Sequence, residues 1–362
     1  MIAFIVATPL ELFNSLMIMH HHFSGDKVDL FVLDIACDMR PVIEKCREES
    51  QIDDVYFLDD ICKRPSRIGT IYDHVHLTGK QRKFLNVIRD KEYTDLFSTW
   101  VGSPATWIFT KIKKRNPKLH LHFYEEGTGV YLRKICLDYH GIKFLYKILG
   151  YFCESDYIED IYMYAPQLAQ ITSDVCLKSI GCANQNDIEN FAYLKKDIIP
   201  YSEKVLFLEN NFYSLPEYNV NEEQLLDIIS KIISKEQIKV RLHPRTRENN
   251  YTTLGYSVDG NKSVPWENIV GFKDVIGDLI LISTISTAVF TPKLIYGYEP
   301  RVVLLGNLID NERELFSASG QFWSEKFRNL AFNFSELYSD QSRISIPGSV
   351  EELLDVLKKW MN

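Results

Sequence analysis

The chain has 362 residues, 46% of them hydrophobic and 25% charged, with 41 basic against 49 acidic side chains and a formal charge of −8. That length predicts about two domains, and 17 Gly with 13 Pro are too few for a disordered or collagen-like chain. The acidic balance argues against general electrostatic binding to nucleic acid, so no nucleic-acid partner is expected.

The first residues read as a buried strand over 2–7, a turn at Thr8-Pro9 and a helix from Leu10. Thr8 suits the cap of that helix and Pro9 its first position, where a missing N–H costs nothing. This apolar start does not read as a signal peptide, because no Lys or Arg precedes Lys27 and Glu11 interrupts it. Spanning a bilayer takes ~20 apolar residues, and Pro9, Glu11 and Asn14 break the run. Seven scattered cysteines (Cys37, Cys46, Cys62, Cys136, Cys153, Cys176, Cys182) without a C-x-x-C pair suit reduced thiols and no zinc site. A cytoplasmic location is expected.

Further strands are predicted at 28–33, 54–58, 96–99 and 119–124, with a helix over 104–115 that ends in Lys111, Lys113, Lys114 and Arg115. The segment 132–195 reads as mainly helical. A second series starts near Tyr201, with strands at 204–208, 238–242, 279–283 and 301–305 and a helical stripe within 222–234. The last helix opens on a capping box, Ser349 with Glu352 three residues on. Strands alternating with helices predict parallel sheets with crossover connections. The expected fold is α/β with two Rossmann-like domains, 1–198 and 199–362, facing a central cleft, and a C-terminal helix packing across both.

In open α/β sheets ligands bind beyond the carboxyl ends of the strands. Three such ends carry chemistry here. After 119–124 stands Glu125-Glu126-Gly127-Thr128-Gly129, either a general base aimed at a ligand or a solvated acidic turn; it lacks the third glycine of a dinucleotide fingerprint. After 238–242 stands His243-Pro244-Arg245, where the imidazole is either a donor to phosphate or a surface side chain, and Arg245 and Arg247 add positive charge. After 279–283 come Thr284-Ile285-Ser286-Thr287, whose hydroxyls and N–H groups, with Ser283, form either a phosphate site or a plain helix cap at Ser286. His20-His21-His22 is read as a solvated helix end and Asp53-Asp54 as solvent-facing. No Asp-x-Asp occurs, which argues against a metal-diphosphate arrangement.

Taken in order, Glu125-Glu126-Gly127, His243-Pro244 and Ser286-Thr287, with the opening Thr8-Pro9-Leu10, resemble bacterial sialyltransferases of GT-B architecture. Glycosyltransferase family 52 is the nearer resemblance and the bacterial polysialyltransferases the next. The resemblance implies inverting, metal-independent transfer of sialic acid from CMP-sialic acid to galactose or sialic acid of a capsule or lipooligosaccharide glycan. It implies no cofactor and no bound metal. It assigns His243 to the departing phosphate, with Ser283, Ser286, Thr287 and Arg245 around the nucleotide and Pro244 against the cytidine. Glu126 or Glu125 would be the base, with Glu209 at the first strand of the second domain a rival. Thr8, Pro9 and Gly127 would lie on the acceptor side. Rival readings are a GT-B enzyme using CMP-Kdo or a UDP- or GDP-sugar, a non-catalytic nucleotide-sugar-binding protein, and an epimerase. The basic helix end at Lys111, Lys113, Lys114 and Arg115 is either a contact for the inner membrane or a solvated face, and a homodimer is left open.

Overall fold

The computed structural model describes residues 1–33, 39–46, 51–58, 79–99, 105–132, 144, 146–171, 175–190, 197–210, 220–244, 246, 249–261, 264–284, 286–316, 318 and 323–361. Arg245, Arg247, Ile285, Cys37, Cys62 and Cys136, named above, and the first position of the helix expected over 104–115 lie outside the described residues. The chain divides into two compact units, Met1–Gly181 and Cys182–Asn362, whereas the sequence reading set the break at 198/199.

Unit 1 holds a seven-stranded parallel sheet of β1 (Ile2–Val6), β2 (Val28–Val32), β3 (Ile52–Phe57), β4 (Asp95–Ser98), β5 (His120–Tyr124), β6 (Ile158–Met163) and β7 (Cys176–Ser179), in the order β3-β2-β1-β4-β5-β6-β7. Unit 2 repeats the plan with six parallel strands: β8 (Val205–Leu208), β9 (Ile238–Arg241), β10 (Ser257–Val258), β11 (Ile280–Ser283), β12 (Arg301–Leu304) and β13 (Ile344–Ser345), ordered β10-β9-β8-β11-β12-β13. In both sheets the chain reverses direction of travel between its first and fourth strands, the point where doubly wound folds bind ligands.

Central strands such as β1 (IAFIV) and β8 (VLFL) are buried along their whole length, as helices on both faces require. The expectation of a mainly helical 132–195 is corrected: β6 and β7 lie in it. β7 (CLKS) is an edge strand with no fully buried residue, so it carries no apolar signature. β10 and β13 are two residues each, too short to show a period.

The helix Pro9–His22 starts as the sequence predicts, with Thr8 extended and its hydroxyl accepting from the Glu11 N–H at 3.2 Å. Its polar residues Glu11, Asn14 and Ser15 are buried, and each is hydrogen-bonded. Glu11 accepts from the Ala7 N–H at 2.6 Å, and Asn14 donates to the Glu125 carbonyl at 2.7 Å. The histidines that end it are not simply solvated: ring nitrogens of His21 and His22 bond the Ile180 carbonyl at 2.9 and 3.3 Å, tying the helix to the exit of β7. Asp53 and Asp54 are exposed, as the sequence predicts, and the Lys91 ammonium lies 2.8, 3.1 and 2.6 Å from Asp29, Asp53 and Asp54. The last helix, Val350–Met361, is capped by Ser349, but Glu352 accepts from the Gly348 N–H at 2.6 Å, one residue earlier than a standard box. No helix among the described residues is long and apolar enough to cross a membrane.

Candidate active site

In unit 1 the sequence Glu125-Glu126-Gly127 leaves the end of β5. Glu125 turns inward and is 3% exposed. One of its carboxylate oxygens accepts from the Tyr131 hydroxyl at 2.5 Å and from the Tyr164 N–H at 3.0 Å. Its carbonyl is held by Asn14, whose other amide atom accepts from the Tyr164 hydroxyl at 2.8 Å. Burial raises the Glu125 carboxyl to about 7, and the bonds from Tyr131 and Tyr164 restrain the rise. Glu126 is half-buried at the same strand end. Gly127 follows with φ +133, a conformation that a side chain would oppose, so the turn needs glycine there. The pair is therefore asymmetric, one acid built into the wall and its neighbour at the rim.

In unit 2 the ends of three adjacent strands, β9, β8 and β11, carry the remaining predicted residues. Glu209, directly after β8, is 3% exposed and accepts from the His243 N–H at 2.8 Å, the Thr246 hydroxyl at 2.7 Å and the Tyr251 hydroxyl at 3.5 Å. The turn it holds is closed by the Thr246 N–H on the His243 carbonyl at 2.9 Å, with Pro244 exposed at its tip and His243 half-buried. Burial also pushes the Glu209 carboxyl up.

Next to it, Asn210 donates from its side-chain amide to Ser283 at 3.1 Å, Thr284 at 2.5 Å and Glu222 at 3.3 Å, and from its N–H to both Glu222 oxygens. Glu222, at the start of the helix Glu222–Ile229, is buried, and burial pushes its carboxyl up to about 8. Trp323 donates to the Thr284 carbonyl at 3.2 Å, bracing the same strand end.

Unit 2 thus brings Glu209, His243, Pro244, Ser283, Ser286 and Thr287 to one end of its sheet, while Glu125, Glu126, Gly127, Thr8 and Pro9 belong to unit 1. Two expectations need correction. Ser283 is fully buried and its hydroxyl is spent on the Leu208 carbonyl at 2.8 Å, the Asn210 amide and the Ser286 N–H at 3.2 Å, so it shapes the turn and has no surface for a ligand. Ser286 caps a single 3-10 turn, Thr287–Val289, followed by a helix of only 6 residues, Thr291–Tyr296; the dipole there is correspondingly short. Ser286 and Thr287 themselves are half-buried at this turn.

Sequence reasoning missed the holding residues: Asn14, Tyr131 and Tyr164 in unit 1, and Asn210, Glu222, Thr246 and Trp323 in unit 2. Only Asn210 carried a signal, as the polar neighbour of Glu209 at a strand end.

No curated protein matches the chain. Among solved structures, the UDP-GlcNAc 2-epimerase of Methanocaldococcus jannaschii in complex with UDP-GlcNAc and UDP aligns with TM-score 0.50 and 10% identity, covering 100% of this chain and 92% of that one. Arabidopsis thaliana UGT89C1 complexed with UDP-L-rhamnose aligns with TM-score 0.48 and 7% identity over 99% of this chain and 89% of that one. At such identity the epimerase likeness shows the fold alone, two parallel-sheet α/β domains of the GT-B kind. The family model for alpha-2,8-polysialyltransferase (POLYST) matches residues 4–304, which takes in Thr8-Pro9-Leu10, Glu125-Glu126-Gly127, His243-Pro244 and Ser286-Thr287 and favours the second of the two resemblances over family 52. The chain belongs to the alpha-2,8-polysialyltransferase family, a group of sialyl-transferring glycosyltransferases.

Proposed function

We propose that this protein transfers sialic acid from CMP-sialic acid to a sialic acid hydroxyl of a growing glycan, with inversion and without a metal. Glu126 takes the acceptor hydroxyl proton as that oxygen bonds to the anomeric carbon of the donor. The bond from that carbon to the CMP phosphate breaks with its electron pair, and His243 supplies a proton or hydrogen bond to the departing phosphate. Ser286 and Thr287 share its oxygens. A monophosphate leaving group carries less charge than a diphosphate, so hydrogen bonds replace a divalent ion in this reading.

The observation that carries the assignment is the clamp on Glu125. A carboxylate buried under Tyr131 and the Tyr164 N–H has its geometry fixed by the fold, whereas Glu126 sits at the rim of the same turn. The same argument makes Glu209 a positioning residue for the His243-Pro244 turn and removes it as the favoured base. The test is to incubate the protein with CMP-sialic acid and an oligosialic acid primer, with and without EDTA, and to read products by mass. Chain extension in both conditions supports the reading. Release of no CMP, or extension only from CMP-Kdo or a UDP- or GDP-sugar, would overturn it.

A further inference from the structure

We propose that unit 1 docks on an anionic lipid surface through one patch, in which Phe144 and Ile148 enter the lipid interface and Lys111, Lys114 and Lys147 meet the headgroups. Phe144 and Ile148 are 68% and 65% exposed, the two most exposed large apolar side chains among the described residues. They stand four positions apart on one helical turn and so share a face, with Lys147 exposed beside them.

That turn is fastened to the helix Ala105–Arg115. The Phe152 N–H donates to the Thr110 hydroxyl at 3.0 Å, and the Tyr151 and Gly150 N–H groups close the turn on Tyr146 and Lys147 at 2.8 and 3.1 Å. The Lys114 ammonium lies beside Gly150, 3.4 Å from where a side-chain carbon would begin. The turn that follows the apolar pair therefore lies beside the basic end of this helix. Not every basic residue there faces out: Lys113 donates to the Leu119 carbonyl at 2.7 Å and lies 5.5 Å from the Tyr157 ring centroid.

Charge argues for an anionic partner. Burial together with the Lys114 charge pushes the Lys111 ammonium down. An anion placed there relieves that repulsion. In a chain of net charge −8, a local patch of this sign is a departure from the whole. Exposed Phe and Ile beside lysines suit a bilayer, where the rings and alkyl groups leave water and each cation meets a headgroup. A purely polar anion offers the apolar pair nothing.

The test is sedimentation of the full chain with vesicles of phosphatidylglycerol and phosphatidylcholine, and with phosphatidylcholine alone. Binding is expected only with phosphatidylglycerol and should fall with added salt. F144S/I148S and K111Q/K114Q should each weaken it roughly tenfold or more, with melting temperature and transfer to a soluble primer unchanged. Equal binding to both vesicles, no binding, or variants that bind like the parent would overturn the proposal. So would a change of F144S/I148S from dimer to monomer on gel filtration, which would make a second copy the occupant.

Discussion

The two units share a strand order yet hold their functional turns differently. In unit 1 the buried clamp and the rim acid are neighbours in the chain, Glu125 and Glu126, and the clamp's partners come from the helices and strands around β5. In unit 2 the buried acid Glu209 stands after one strand and grips the turn after the next, accepting from the His243 backbone N–H and the Thr246 hydroxyl. The contrast teaches that a buried carboxylate near a site is not thereby its base. An acid with its oxygens given to N–H and hydroxyl donors sets geometry, and the proton is handled by whatever that geometry presents.

The largest effect expected from a single change outside the two turns lies in unit 2. A side-chain carbon at Gly306 would lie 1.7 Å from the Trp323 indole nitrogen, which donates to the Thr284 carbonyl. G306A should destabilise by about 3 kcal/mol, the upper range for overpacking, and loosen the Asn210–Thr284 brace. A chemical denaturation midpoint equal to the parent's would break the claim that Trp323 supports that strand end.

Removing the unit 2 clamp comes next. E209A strips acceptors from the His243 N–H and the Thr246 hydroxyl, at about 1–3 kcal/mol for buried groups left unsatisfied. CMP binding should weaken about tenfold if that cost falls on the bound turn, whereas retained CMP affinity with lost turnover would return Glu209 to the role of base.

A pH comparison sharpens the difference between units. Glu125 and Glu222 sit at about 7 and about 8, above the ordinary carboxyl value of 4.5, chiefly from burial. The folded chain then keeps a proton that the unfolded chain releases, so stability falls as pH rises from about 4.5 to about 7 for Glu125 and to about 8 for Glu222. Below 4.5 both states hold the proton, and above each upper limit neither does, so the curve levels at both ends. Melting curves of E125Q and E222Q across this range should each lose their own part of the slope. A slope unchanged in both would contradict the burial argument.

The smallest expected effect is Y164F, which removes one bond to Asn14 and should cost about 1 kcal/mol in denaturant while leaving turnover within a fewfold.

What could be read in advance follows from range. Buried central strands such as β1 and β8 announce themselves as short apolar runs, and the Thr8-Pro9 cap acts over three residues, so both were legible. The motif turns were legible because the rule about strand ends needs only the strands. The clamps were not. Asn14 reaches a carbonyl 111 positions away and Tyr164 an acid 39 positions away, and nothing local distinguishes these side chains from ordinary core residues. Ser283 misled for the same reason, since its burial is set by β8 beside it and not by its own turn. The edge strand β7 lacks the burial that writes a pattern into sequence, and β10 and β13, at two residues each, are too short to hold one.

The account turns on Glu126 as the group that takes the acceptor proton, and paired kinetics of E126Q and E125Q measure it most directly. With CMP-sialic acid and a primer, E126Q should lose about 10²–10⁴-fold in turnover while CMP still raises its melting temperature as in the parent, and E125Q should lose far less. An E126Q enzyme that extends the primer at the parent's rate would contradict the account.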